Sequence, residues 1–341
     1  MKYSIIIPVY NRPDELHELL QSIALQLQDA TAPALPDDVE VIVVDDGSTI
    51  SSQEVAASFA SKLNIRYLSK SNSGPGPSRN YGADRAQGEW LIILDSDAVL
   101  PPSYLSAIEC ELRREDCDAF GGPDRAAKDF TTMQKAINYA MTSFFTTGGI
   151  RGGSSTAPKM DKFYPRSFNM GIRREVYKAL GGFSPMRFGE DIDLSLRIFE
   201  GGYRCRLFPE AWVWHKRRTD LKKFFKQVHN SGIARINLHK RHPGSMKLVH
   251  TLPAVFTVGC AVLLLMAVLL SWWWLMPLAI WALLIFLDAT MQENDPEVGI
   301  TAVPAAFIQL TGYGTGFLRA AWQRLVMGKD EFSAFKKNFY K

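Results

Sequence analysis

Two acidic clusters dominate the N-terminal half of the chain, Val-Val-Asp-Asp-Gly-Ser at Val43–Ser48 and Leu-Asp-Ser-Asp at Leu94–Asp97. Each closes a short apolar run, which puts Asp45, Asp46, Asp95 and Asp97 at strand ends. Carboxylates two residues apart at such an end can hold a hard divalent cation, Mg2+ or Mn2+, through oxygen. A cation there would neutralise a diphosphate whose charge grows as a bond to it breaks. The clusters therefore point to a metal- and nucleotide-binding site, in which Asp46 could accept hydrogen bonds from a base or ribose. Alone, an Asp-x-Asp also describes an ordinary solvated turn.

Short aliphatic and β-branched runs at Ile5–Val9, Val39–Val44 and Trp90–Leu94 read as strands, with helical stretches at Pro13–Gln28 and Ser52–Leu63 between them. This alternation predicts an α/β fold with a parallel sheet covered on both faces. Ligands of such sheets sit just beyond the carboxyl ends of the strands, where the acids fall.

Five motifs then occur in order: Ile-Pro-Val-Tyr-Asn at Ile7–Asn11, the Val43–Ser48 cluster, Gly-Pro-Ser-Arg-Asn-Tyr-Gly at Gly76–Gly82, Gly88–Asp97, and Gly-Glu-Asp-Ile-Asp-Leu at Gly189–Leu194. Over about Met1–Arg218 the chain resembles the family-2 glycosyltransferases. That resemblance implies a GT-A nucleotide-diphospho-sugar transferase fold, an inverting single displacement, a sugar-nucleotide donor with a lean toward UDP, and a divalent cation, Mg2+ or Mn2+. By the family pattern Pro8, Tyr10 and Asp46 frame the nucleobase and Arg79 reaches ribose or phosphate. Asp95 matches the ribose- or metal-side acid and Asp97 the metal ligand.

Inversion requires a base for the acceptor hydroxyl, and Glu190 and Asp191 are the candidates, Asp191 being preferred and Glu190 assigned to acceptor or loop. Capping of a helix over Ile192–Glu200 is the plainer reading of Asp191, as a surface ion pair is of Arg79. His215, after the strand-like Trp212–Trp214, matches a histidine that completes the metal site in some relatives. Arg217 and Arg218 would then neutralise the leaving diphosphate. Asn169 could touch donor sugar or acceptor, or cap a helix over Ile172–Leu180.

The remaining length of this 341-residue, 47% hydrophobic chain reads as membrane-associated. Leu252–Leu270 and a second stretch ending at Leu287 are each close to a bilayer span, with Trp272–Trp274 suited to an interfacial turn. Ile300–Val326 carries polar residues at helical spacing and reads as an interfacial helix, with a third span as the alternative. Basic residues crowd Lys216–Lys247 and recur from Arg319 to Lys341, which places both flanks in the cytoplasm. The expected organisation is a GT-A domain over 1–218, a basic juxtamembrane helical segment over 219–250, a transmembrane hairpin over 251–290, and an interfacial or third transmembrane helix with a basic cytoplasmic tail over 291–341.

The net charge of +4 is modest and local, fitting an anionic lipid surface better than nucleic acid, so no nucleic-acid partner is expected. Met1–Asn11 lacks the features of a signal peptide, and the four cysteines lack metal spacing. Gln227–Arg235 stands where processive members of the family carry Gln-x-x-Arg-Trp, a pattern missing here. The reading is a hexosyltransferase-type enzyme of cell-envelope polysaccharide biosynthesis. It is expected to be multi-pass in the inner membrane, with its catalytic domain cytoplasmic and a lipid-linked or glycan acceptor. A nucleotidyltransferase would be expected to have a glycine-rich phosphate loop at its first strand, where this chain has Pro-Val-Tyr-Asn; a non-catalytic scaffold is the other alternative.

Overall fold

The computed structural model describes residues 1–28, 38–125, 130–147, 163–215 and 220–331, and of His215 the backbone alone. They group into two compact units, 1–28, 38–125 and 163–215 in one, 130–147 and 220–331 in the other. Residues 130–147 thus cluster with the C-terminal helices although they lie inside the 1–218 span.

In chain order the first unit begins β1 (Tyr3–Val9), α1 (Pro13–Gln28), β2 (Val39–Asp45), α2 (Gln53–Ser58), β3 (Asn64–Ser69), α3 (Pro75–Ala83), β4 (Trp90–Leu94), β5 (Ala98–Val99), α4 (Tyr104–Arg114), β6 (Ala119–Gly121) and β7 (Asp124–Arg125). After α5 (Thr132–Thr142) and α6 (Phe144–Thr147) of the second unit it resumes with β8 (Asn169–Arg173), α7 (Arg174–Ala179), α8 (Glu190–Glu200), β9 (Cys205–Leu207) and β10 (Val213–His215). A seven-stranded sheet runs β3-β2-β1-β4-β8-β6-β9, and a three-stranded sheet runs β5-β10-β7.

β1 to β4 are parallel, as the βα alternation predicts, but β8 runs antiparallel to both β4 and β6, so the sheet is mixed. The described helices between β7 and β8, α5 and α6, belong to the second unit, so no crossover helix of the first unit forces β8 to be parallel.

Period-two alternation divides the strands between two cores. Ile5, Ile7, Val41, Val43, Ile92 and Leu94 pack under α1 through Leu16, Leu19, Leu20 and Ile23. Ile6, Ile42, Val44, Leu91 and Ile93 pack under α3, α7 and α8. Gly82 lets α3 lie directly on the sheet, because a Cβ there would come within 2.8 Å of Ile6 Cγ2. α2 ends at Ser58, shorter than the expected Ser52–Leu63, with Phe59 and Leu63 turned into the α1-side core.

The second unit adds α9 (Leu221–Arg241), α10 (Leu252–Leu269), α11 (Met276–Glu293) and α12 (Pro296–Ala321) to α5 and α6. Among the described residues two helical spans are long and apolar enough to cross a bilayer, Leu252–Leu269 and Trp272–Glu293, with mean hydropathies of 2.5 and 1.8 and only 6% and 11% of those windows buried. α12 covers most of the stretch expected as an interfacial or third transmembrane helix, Ile300–Val326. It is the packed centre of this unit, buried along Ala302, Ala305, Ala306, Gln309, Gly312 and Gly316. Of the polar residues at helical spacing Gln309 is buried whereas Arg319 is exposed, and small residues admit neighbouring backbones: a Cβ on Gly316 would lie 2.0 Å from His229 O, and one on Gly314 2.4 Å from Pro253 O.

In the first unit Gly171 leaves room for the buried Phe120 ring, which stacks on Phe208 at 4.4 Å. A Cβ at Gly171 would stand 2.0 Å from that ring. Gly171→Ala is expected to lower stability by about 1–3 kcal/mol through overpacking, read by denaturant titration; an unchanged midpoint would show that the ring moves aside without cost.

Candidate active site

Strands β1, β2 and β4 end at one edge, and their ends are fastened to each other by side chains. Asn11, at φ 53°, donates its backbone N–H to Ser48 Oγ, while its Oδ1 accepts from Thr49 N and Ile50 N at 2.8 and 2.9 Å. Asp45 accepts from Ser48 N at 2.7 Å and from the Tyr67 hydroxyl. Pro8 pairs in register with Val44, and Tyr10 follows β1; both are half-buried.

Asp46, expected at the nucleobase, is only 1% exposed, and its carboxylate is engaged by the protein. Oδ1 accepts from Lys70 Nζ at 2.6 Å and Ser73 N at 2.9 Å, and Oδ2 from Gly74 N at 2.7 Å. Its observed contacts therefore shape the Gly/Pro turn that opens α3.

From α3 the Arg79 side chain, 4% exposed, reaches two carboxylates. It donates to Asp95 Oδ1 at 2.7 Å and to Glu190 Oε1 at 3.1 Å, and lies 5.1 Å from the centre of the Phe183 ring. Burial alone would lower its pKa, but Asp95 and Glu190 more than reverse that and raise it. Asp97 accepts from Arg12 at 2.5 Å. Register places His215 opposite Ala98, one residue beyond Asp97, so the β10 backbone runs beside this acid. Arg217 and Arg218 lie outside the described residues, as does the Gly/Ser-rich stretch at 148–155.

Gly189, at φ 83°, turns the chain into α8 and sets Glu190 and Asp191 in its first turn. Asp191 Oδ2 accepts from Arg166 Nε at 2.7 Å, and Oδ1 from Ile192 N at 2.8 Å. One guanidinium thus links a strand-end acid of the Asp-x-Asp pair to the acids that open α8.

The sequence pattern of Glycosyl transferase family 2 matches residues 4–181, which carry most of this edge. The chain belongs to glycosyl transferase family 2. It is a glycosyltransferase enzyme with the GT-A fold, which sets aside the nucleotidyltransferase and scaffold alternatives. Over 330 residues it is 24% identical to succinoglycan biosynthesis protein ExoA of Rhizobium meliloti, covering 92% of this chain and 93% of that one. It is 37% identical over 99 residues to poly(ribitol-phosphate) beta-N-acetylglucosaminyltransferase TarS of Staphylococcus aureus, a match covering 28% of this chain and 16% of TarS. In fold it is similar to the mannosyltransferase PcManGT from Pyrobaculum calidifontis, solved in complex with GDP-Man and Mn2+, with a TM-score of 0.64 at 19% identity over 91% of this chain and 87% of that one.

Asn169 is fully buried at the start of β8, accepting from Tyr104 Oη at 2.7 Å and donating to Ala211 O at 2.7 Å. Both ends of its amide are used, so it holds β8 to its neighbours, and the N-cap of α7 is Arg173.

The donor chemistry suits a divalent cation. Among the described residues no three His, Cys, Asp or Glu side chains cluster as a self-sufficient metal cage. Mg2+ and Mn2+ sites built on one or two carboxylates plus phosphate oxygens and water do not need one. Asp95, 30% exposed, keeps Oδ2 without a protein partner among the described residues, and Asp97 stands two residues away.

Arg12 and Arg166 had not been singled out. Arg12 directly follows the first motif, a signal that position alone could have supplied. Arg166 lies outside every motif, and only the folded chain brings it to Asp191.

The Glu190 carboxyl is pushed up from 4.5 to about 7, first by burial and then by the charge of Asp191, against the pull of Arg79. A carboxyl raised on folding contributes stability that is complete below its unfolded value and lost as pH climbs through the folded one. This group should therefore make the protein less stable as pH rises from about 4.5 to about 7. Glu190→Gln should remove that part of the slope in denaturant titrations near pH 5 and near pH 8; an identical slope in the variant would locate the titration elsewhere.

Proposed function

We propose that the chain is an inverting glycosyltransferase that moves a sugar from a nucleotide-diphospho-sugar to a lipid-linked or envelope glycan acceptor at the membrane. The observation that carries this is the meeting of Asp95 with Glu190 and its neighbour Asp191 around Arg79, which brings donor-side and acceptor-side acids to one place. The similarity to ExoA, a succinoglycan biosynthesis protein, supports a glycan acceptor, and the GDP-Man and Mn2+ of PcManGT support a sugar-nucleotide donor with a cation.

In this reading Asp191 takes the proton of the acceptor hydroxyl as its oxygen bonds to the anomeric carbon. The bond from that carbon to the diphosphate breaks on the opposite side, and the nucleoside diphosphate departs with the electron pair. Asp95 and Asp97, with His215 as a third ligand, would hold a divalent cation that supplies charge neutralisation to the departing diphosphate. Pro8 and Tyr10 border the nucleobase; for Arg217 and Arg218 the family resemblance alone assigns neutralisation of the diphosphate. Asp46 acts on the donor through the turn it fixes. UDP is the preferred nucleotide, to be tested by screening UDP-, GDP- and dTDP-sugars with Mn2+.

Asp191→Asn should bind donor like the parent and lose transfer by roughly 10²–10⁴-fold, the range of general-base catalysis. Calorimetry and single-turnover assays separate the two effects, and near-normal turnover would refute the assignment.

α10 and α11 would anchor the enzyme as a hairpin with Trp272–Trp274 at its turn, each helix exposing aliphatic side chains such as Val255, Val268, Ile280 and Leu283. The basic end of α9 and Lys247 would then face the anionic cytoplasmic surface. Full-length protein should stay in the membrane fraction through an alkaline carbonate wash; release into the supernatant would show that the hairpin does not span.

A further inference from the structure

We propose that Arg79 is a positioning residue that couples Asp95 to Glu190, so that metal-side and acceptor-side carboxylates are set together and Asp191 is left as the base. The proposal deepens the glycosyltransferase reading and rests on it for the roles of the two sides.

The guanidinium is planar and rigid, and two of its nitrogens are committed to carboxylates on different elements, Asp95 beyond β4 and Glu190 at the start of α8. Displacement of either acid is felt by the other through one stiff group. Sliding is opposed by Phe183, against whose face the guanidinium rests. Phe183 is itself clamped, because Asn80 accepts from its N–H at 2.9 Å and donates to its carbonyl at 2.9 Å. The loop behind it is tied to α8, where Arg197 donates to Leu180 O and Gly182 O at 2.5 and 2.7 Å while paired with Asp193.

Two observations favour this over direct donor contact. The Arg79 side chain is only 4% exposed, and its Nε is buried with no hydrogen-bond partner among the described residues, so little of it faces solvent. Glu190 is held by this enclosed arginine, whereas Asp191 is held by Arg166, whose side chain is 36% exposed. Of two adjacent carboxylates, the one with the accessible partner is the one an acceptor can displace.

The test reads Mn2+ affinity by paramagnetic resonance, with UDP present to supply phosphate ligands, on the protein in wild type, Glu190→Gln, Arg79→Gln and the double variant. Neutralising Glu190 lets the guanidinium draw harder on Asp95, so E190Q should weaken Mn2+ binding by about fivefold when Arg79 is present and by less than about twofold when it is absent. Because Arg79→Gln leaves carboxylates unpaired and can fail to fold, Phe183→Leu keeps every charge and removes only the support. It should lower kcat by about tenfold with donor KM within about twofold, since misplacement costs turnover rather than binding, and it should shrink the E190Q effect on Mn2+. Equal E190Q effects in both Arg79 backgrounds, or a Phe183→Leu variant that raises donor KM at unchanged kcat, would overturn the bridge and leave the glycosyltransferase reading standing. A wild-type protein that binds no Mn2+ would overturn the metal reading and the bridge together.

Discussion

A guanidinium with almost no access to water cannot stand alone; an unpaired ion in such a place costs several kcal/mol. Arg79 meets that constraint with Asp95 and Glu190, so the two acids can approach each other, and the chain around them is arranged to keep the cation where it is. α3 must start at a fixed height above the sheet, which Asp46 secures by holding the backbone of Ser73 and Gly74. It must also lie close to β1 and β2, which the missing side chain of Gly82 allows. The loop bearing Phe183 must close under the cation, which Asn80 and Arg197 enforce.

The acids at the sheet edge consequently divide by task. Asp45 and Asp46 stand in one cluster and look equivalent to the metal-side pair, yet their oxygens are used within the protein, on Ser48, Tyr67, Lys70 and the α3 turn. They give the edge its shape. Asp95, Asp97, Glu190 and Asp191 are each paired to an arginine. Asp46 is held by two backbone N–H groups as well as by Lys70, which fixes both of its oxygens, whereas Asp95 and Asp97 are held by arginine side chains that a metal could replace. The distinction is one of hydrogen-bond donors, and composition does not reveal it.

Sheet and helices were legible because their periods are physical: alternating apolar residues in β1, β2 and β4 serve two faces, and α1 spans the run expected from its pattern. The strand-end acids were legible for the same reason, since a strand that stops at an acid must present it at the edge. The buried contacts of Asn169 were not legible because a motif position says where a residue is in the chain and nothing of which way its amide points. The two partners it found, Tyr104 and Ala211, are 65 and 42 residues away. Arg166 and the antiparallel insertion of β8 were illegible for a related reason, as each depends on where the chain returns after its passage through the second unit.

In that second unit, hydropathy separated what faces outward from what does not, and it did so by a property of packing. α10 and α11 keep large aliphatic side chains on exposed surface and score as spans. α12 is diluted by glycine and alanine, which contribute little hydropathy but let α9 and α10 approach it almost backbone to backbone. Gln309 is buried among those helices while Arg319, nearer the end of α12, is exposed, so the polar spacing runs from a packed stretch into an open one. The central position of α12 in the helical unit thus follows from the same small residues that made its sequence ambiguous.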